Sequence, residues 1–133
     1  MKKKIFGFCL VFLFLSAVAG FSQLKATDSS RYSCYNMTVR GRDITYTVDY
    51  AMVSQYNDGS FQLVLYYKDA TPTEYFRLDA PTRSANGTTY NARLTNDAGI
   101  RVGNLTCFIT AGETLLSFYF YQNGENFADI HLR

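Results

Sequence analysis

Few side chains in this 133-residue chain are capable of acid–base or nucleophilic chemistry. The single histidine is His131, and a catalytic thiolate needs a base of that kind beside it. Neither Cys34 nor Cys107 has one nearby in the sequence, which also contains no CxxC pair, phosphate-binding glycine loop or nucleophile elbow. The sequence therefore predicts no enzyme, no metal site and no cofactor.

Acidic residues are the remaining candidates for catalysis. Two carboxylates that meet in a cleft can hydrolyse a glycoside-like substrate, one as the acid and the other as base or nucleophile. Nothing in their spacing brings two of them together, so a small carboxylate-dependent hydrolase is kept only as an alternative. The residues considered are Asp43, Asp49, Glu74, Asp79 and Glu113.

The N-terminal segment, residues 1–22, has the composition of a cleaved bacterial signal peptide. Three lysines precede an apolar run from Ile5 to Leu15, and small residues follow the run. The run is shorter than the roughly 20 apolar residues that span a bilayer. We expect its removal to leave one domain, residues 23–133, that is secreted or periplasmic and has no transmembrane segment.

Loss of the signal changes both the charge and the cysteine count. Ten basic residues then face 11 acidic ones, and the net charge falls from +2 to about −1. A near-neutral domain lacks the basic surface that nucleic acid requires, so we expect no nucleic-acid partner. Cys34 and Cys107 remain, and two cysteines in an oxidising compartment predict one structural disulfide worth roughly 4 kcal/mol.

Short runs rich in Val, Ile, Thr, Tyr and Phe fill the rest of the chain, and no sustained helical period interrupts them. Turn residues separate the runs, and short connections favour antiparallel neighbours. The pattern predicts an all-β antiparallel meander of eight to nine strands, either a small barrel or a two-sheet sandwich. The predicted strands are residues 32–39, 43–55, 60–68, 73–78, 88–95, 99–103, 105–110, 114–122 and 126–132.

Two hairpins can be assigned a register. A two-residue turn at Asp58-Gly59 would pair Met52 with Leu65 on one face of the first hairpin. At the last hairpin, a three-residue loop with Gly124 in the left-handed region keeps apolar residues together on one face. That face consists of Leu116, Phe118, Phe120, Ala128, Ile130 and Leu132.

The opposite face of the last hairpin is the main candidate binding surface. It carries Ser117, Tyr119, Tyr121, Phe127, Asp129 and His131. Tyrosine and phenylalanine provide large contact areas at a low cost in conformational entropy, so this set predicts a protein-binding patch. Ordinary packing beneath another layer of the sheet is the alternative, and the sequence leaves both open.

A second candidate lies in the longest irregular segment, residues 79–87. Arg83 and Asn86 are in this segment, and Arg77 and Arg93 flank it. Together the arginines would present a basic rim to a carboxylate or phosphate, whereas a solvated connection would use them only to cover apolar surface.

Three segments, Tyr32-Ser-Cys34, Ser84-Ala-Asn-Gly-Thr-Thr-Tyr90 and Phe108-Ile-Thr-Ala-Gly-Glu113, resemble landmarks of a known family. They are similar to the Tyr-x-Cys, Ser-Gly-x-x-Tyr and Thr-Lys-Gly motifs of bacterial periplasmic inhibitors of C-type lysozyme, which are small β-barrels. Asn86 stands in place of the inhibitory serine, Ala111 replaces the lysine, and the chain has no tryptophan. The resemblance implies a lysozyme-inhibitor-like barrel as a further alternative.

These observations together predict a binding protein rather than an enzyme. The leading function is recognition of another macromolecule outside the cytoplasm, as inhibitors, immunity proteins and adhesin-type modules perform it. The main alternative is a small barrel that carries an apolar ligand, and such a carrier needs an unfilled interior.

Overall fold

The computed structural model describes residues 26–69, 71–85 and 87–133, and the side chain of Ser84 is not among the described groups. The predicted signal peptide and Asn86 therefore lie outside the described residues. The elements are β1 (Ala26–Tyr32), β2 (Cys34–Val39), β3 (Arg42–Asp43), the 3₁₀ turn η1 (Thr45–Thr47), β4 (Val48–Tyr56), β5 (Phe61–Tyr67), β6 (Glu74–Leu78), β7 (Thr82–Ser84), β8 (Gly87–Asn96), β9 (Gly99–Ala111), β10 (Leu116–Gln122) and β11 (Glu125–Leu132).

The strands pair antiparallel in one sheet, which confirms the all-β class. Their order is β1-β4-β5-β6-β8-β9-β10-β11-β2-β3, and β7 pairs with β8 beside this path. β1 and β2 lie far apart in this order, yet only Ser33 separates them in the chain. The backbone of Ser33 exchanges two hydrogen bonds with that of Arg133, at N···O distances of 2.9 and 3.0 Å.

The sheet is strongly curved around its core. The rings of Phe76 on β6 and Phe120 on β10 stack with their centroids 4.2 Å apart. Two strands lie between them in the sheet, so a flat sheet would separate them by about 14 Å. The inner surface therefore packs against itself. Its fully buried side chains include Leu63, Leu65, Leu78, Leu105, Phe118, Ile130 and Leu132.

The described part of the chain has eleven strands rather than the eight to nine predicted. β1 was not predicted because its side chains are mostly polar and exposed, and it is held by backbone pairing with β4. The predicted strands 99–103 and 105–110 form a single strand, β9, which passes through Asn104 with φ of 55°. β7 lies inside the segment expected to be irregular.

The predicted register of the first hairpin is wrong by one residue. Met52 pairs with Val64 instead of Leu65. The carboxylate of Asp58 accepts hydrogen bonds from the backbone and hydroxyl of Ser60, which extends the turn beyond two residues. A one-residue shift exchanges the two faces of a strand, so Ala51 and Leu65, not Met52, face the core.

The last hairpin has the predicted inner face, but its loop differs from the predicted three-residue loop. The buried core cluster includes five residues of this face, and the partly buried Leu116 packs against it. The five are Phe118, Phe120, Ala128, Ile130 and Leu132. The loop has two residues, Asn123 and Gly124, both with positive φ, and pairs Gln122 with Glu125. A bulge at Phe127 then restores the pairing of inner residues with inner residues.

The predicted disulfide is wrong, since Cys34 and Cys107 are both free thiols. Cys34 pairs with Leu132 on β11, and Cys107 pairs with Phe120 on β10. Two strands, β10 and β11, lie between the strands that carry the cysteines. Leu132 pairs in turn with Leu116, so along β10 Cys34 is level with Leu116 and Cys107 is level with Phe120, four residues away. A disulfide requires Cα atoms within about 7 Å of each other. Burial raises the pKa of Cys34 to about 11 and also raises the pKa of Cys107.

Candidate functional site

The outward side chains of β9, β10, β11 and β2 form a four-stranded surface that we call the outer face. Strand register places them in rows across the sheet. One row consists of Thr110, Ser117, His131 and Asn36, and the next of Phe108, Tyr119, Asp129 and Thr38. Three of the predicted site residues, Tyr119, Asp129 and His131, are therefore adjacent on one surface.

Tyr35 joins this surface because β2 contains a bulge. His131 pairs with Asn36 and Leu132 pairs with Cys34, which leaves Tyr35 as the extra residue between them. Its side chain is 52 % exposed, and the guanidinium of Arg133 lies 4.6 Å from its ring centroid. Sequence reasoning missed Tyr35, since a bulge has no residue signature in this segment.

A hydrogen bond and a ring contact fix the orientation of His131. The hydroxyl of Ser117 lies 2.7 Å from Nδ1 of His131, and the ring of Tyr119 meets the imidazole edge-on at a centroid distance of 5.5 Å. Because Nδ1 is engaged, Nε2 is the ring nitrogen that remains to contact a ligand. Ser117 is buried, and its hydroxyl holds the imidazole in position.

These side chains line an open depression of about 830 Å³. The β9–β10 connection forms one wall, in which the backbone N–H of Gly112 donates to the carbonyl of Leu115 at 2.8 Å. Leu115 is 39 % exposed and adds an apolar contact. The complete lining is Tyr35, Asn36, Thr110, Ala111, Gly112, Leu115, Ser117, Tyr119 and His131.

The other predicted members of the patch have different surroundings. Tyr121 lies on the outer face and contacts Phe108 edge-on at 5.7 Å. Asp129 accepts a hydrogen bond from the side chain of Asn126 at 2.8 Å. The predicted exposure of Phe127 is wrong, because the bulge turns this ring into the core cluster and leaves it 6 % exposed.

Arg83 does not join the outer face. It is exposed on β7 and pairs with Thr88 of β8. Of the arginines expected to form a rim with it, Arg93 pairs with Asp79 at 3.3 Å and Arg77 donates to Gln62. The guanidinium groups near this segment are thus directed to different partners.

The acidic residues considered for catalysis have separate partners where the structure gives one. Asp43 binds Thr45, Glu74 binds Tyr67 and Arg101, and Asp79 binds Arg93. Among the residues that the structure describes, no three His, Cys, Asp or Glu side chains are grouped as metal ligands would be.

In the same described ranges, no helix is long and apolar enough to cross a membrane. Comparison with known proteins found no matching family model and no significant similarity to a curated protein or to a solved structure. The outer face therefore has to be interpreted from its own geometry.

Proposed function

We propose that this protein is a non-enzymatic binding module, secreted or periplasmic, that recognises another protein through its outer face. The observation that carries the proposal is the open depression in which Tyr35, Tyr119 and His131 converge. Aromatic side chains beside neutral hydrogen-bonding groups are the composition that protein interfaces favour.

The support behind the depression favours a preorganised interface. Phe118 and Ile130 are fully buried directly beneath the strands that carry Tyr119 and His131. Ser117 and Tyr119 hold the imidazole from two sides. Side chains that are ordered before binding lose little entropy when a partner arrives.

We also propose that the sheet closes into a small barrel. β1 pairs with β4 near one end of the strand order, and its continuation β2 pairs with β11 near the other. A single continuous segment with Ser33 at its centre therefore bridges the two ends, and the Phe76–Phe120 stack across the inner surface supports the same closure. Closure would remove exposed strand edges and stiffen the outer face.

The packing at the centre of the fold argues against the alternative function, a barrel that encloses an apolar ligand. Phe76, Phe118 and Phe120 fill the space between the strands, with Phe118 and Phe120 rings parallel at 6.3 Å. A ligand enclosed at this level would have to displace them.

The proposal is tested with a photo-crosslinking amino acid placed at Tyr119 and, as a matched control, at Tyr46. Tyr46 is 75 % exposed on η1 and does not line the depression. The variants are expressed in the producing cell and illuminated, and adducts are identified by mass spectrometry. We expect a protein adduct from position 119 that position 46 does not give.

The captured protein is then purified and its affinity measured by calorimetry. A Tyr35→Ala/Tyr119→Ala variant should bind it about tenfold or more weakly, since truncated aromatic anchors typically cost more than 1 kcal/mol each. Tyr46→Ala should bind as the unaltered protein does. Identical adducts at both positions, or full affinity in the double variant, would refute the proposal.

A further inference from the structure

A second concavity, the end cavity, lies where β2 finishes, at the end of the strands opposite the outer-face depression. Its volume of about 440 Å³ is within the range of small-molecule sites. Its lining includes the buried apolar side chains of Met37, Phe76, Leu94 and Phe127, which come from four strands. The interior is thus filled at its centre and accessible at this end.

Arginines border the end cavity. Arg40 and Gly41 form the turn between β2 and β3, with φ of 51° and 79°. Both central residues of such a turn have positive φ, a conformation in which long side chains are uncommon. The backbone N–H of Arg40 donates to the carbonyl of Phe127 at 2.7 Å, and its guanidinium lies 5.1 Å from the Phe127 ring centroid.

The charges at this end are only partly balanced. Arg101 pairs with the buried Glu74, whose carboxylate also accepts a hydrogen bond from Tyr67 at 2.6 Å. Within the described ranges, neither Arg40 nor Arg42 forms an ion pair. Among the residues that the structure describes, the end cavity therefore combines an apolar floor with two guanidinium groups, those of Arg40 and Arg42, that form no ion pair.

We propose that the end cavity binds an amphiphilic carboxylate, a molecule with a carboxylate head and an apolar chain of medium length. Guanidinium groups bind carboxylates bidentately, and the apolar floor removes the chain from water. Glu74 repels a carboxylate placed deep in the cavity, so the head lies at Arg40 and Arg42 and the chain lies over Phe127. This site is independent of the outer face and of the proposed protein partner.

Two methionines provide an internal control for the test. Met37 lines the end cavity, whereas Met52 on β4 does not. Decanoate is titrated into protein purified after expression of the full chain with ¹³C-methyl methionine, and methyl shifts are recorded. We expect a saturable shift of the Met37 methyl and an unchanged Met52 methyl. Decanol, which has the same chain and no charge, should bind about tenfold or more weakly.

Charge variants then locate the head group by calorimetry. Arg40→Gln/Arg42→Gln should raise the Kd for decanoate at least about tenfold, and Arg83→Gln on β7 should not change it. Glu74→Gln keeps a hydrogen-bond acceptor for Tyr67 and removes the repelling charge, so it should bind decanoate more tightly.

Absence of a saturable Met37 shift would overturn the inference. Equal binding of decanol and decanoate would also overturn it, as would an equal loss in Arg83→Gln. The arginine variants should retain the crosslinked partner of the outer face, so failure of one proposal is distinguishable from failure of the other.

Discussion

The pairings of β11 with its two neighbours each contain a bulge with an aromatic residue, and the two rings point to opposite sides of the sheet. At one end of the strands, Tyr35 is the extra residue of β2, and its ring is 52 % exposed on the outer face. Near the other end, Phe127 is the extra residue of β11, and its ring is 6 % exposed and lines the end cavity. A bulge thus places an aromatic ring on the outer face in one case and in the lining of the end cavity in the other.

The two sites differ in chemistry as well as direction. The depression of the outer face is lined by aromatic and neutral polar groups, whereas the end cavity has an apolar floor and an arginine rim. An open depression lined by aromatic and polar groups suits a protein, and a concavity with an arginine rim suits a small anion. Comparing a variant that affects both regions with one that affects a single region therefore shows which residues stabilise each.

The largest expected effect is a loss of unfolding free energy in Phe120→Ala, because this ring supports both regions. Phe120 is fully buried on β10 behind the outer face, and it stacks on Phe76, which lines the end cavity. Truncation of such a ring should reduce the free energy of unfolding by about 3–5 kcal/mol. The measurement is urea unfolding, with Phe108→Ala as control because that ring is 37 % exposed. Equal losses in the two variants would contradict a shared support.

A smaller loss, confined to one site, is expected for Glu74→Ala. The variant leaves the hydroxyl of Tyr67 and the guanidinium of Arg101 without their carboxylate, at a cost of about 2 kcal/mol in unfolding free energy. Asp79→Ala is the matched control, since Asp79 and Arg93 are 58 % and 38 % exposed, and it should cost under about 1 kcal/mol. Partner binding at the outer face should be unchanged. A loss of that binding would contradict the prediction and show that the two regions are energetically coupled.

The fold class and the inner face of the last hairpin were predictable from the sequence, because alternation of apolar and polar residues has the period of a strand. Phe118, Ile130 and their inner neighbours are buried as predicted. The register of the first hairpin was not predictable in the same way. It depends on the side-chain hydrogen bonds of Asp58, which compete with the two-residue turn that Asp-Gly favours.

The candidate sites were predictable only where the chain alternates regularly. Tyr119, Asp129 and His131 lie on the outer face because they are every second residue of their strands. Tyr35 and Phe127 are bulged, and an extra residue reverses the alternation that a pattern assumes. The disulfide prediction is wrong for a related reason, since a cysteine count carries no information on strand order.

Alkaline pH should affect the end cavity through Tyr67. Burial first, and then the hydrogen bond and charge of Glu74, raises the pKa of Tyr67 above its ordinary value of 10.0. The folded state therefore retains this proton more strongly, and the stabilisation is complete below about pH 10 and is lost as the pH rises further. Urea unfolding from pH 8 to 11 should show a steeper decline in the unaltered protein than in Tyr67→Phe. Parallel declines would exclude a contribution from Tyr67. The cysteines also titrate at alkaline pH, but they are present in both proteins and cannot cause a difference between them.

The smallest effect is expected next to the Tyr35 bulge, in Cys34→Ala. Cys34 is a half-buried free thiol, so its truncation should cost about 1 kcal/mol or less, whereas loss of a disulfide would cost roughly 4 kcal/mol. Cys107→Ala is the informative partner, because Cys107 is fully buried and its truncation should cost more than that of Cys34. The measurement is urea unfolding without reductant, together with a thiol count on the unfolded protein. In protein that begins at residue 23, and so lacks Cys9, two reactive thiols and unequal losses are expected. Equal losses near 4 kcal/mol without reactive thiols would instead indicate that Cys34 and Cys107 are joined in a disulfide.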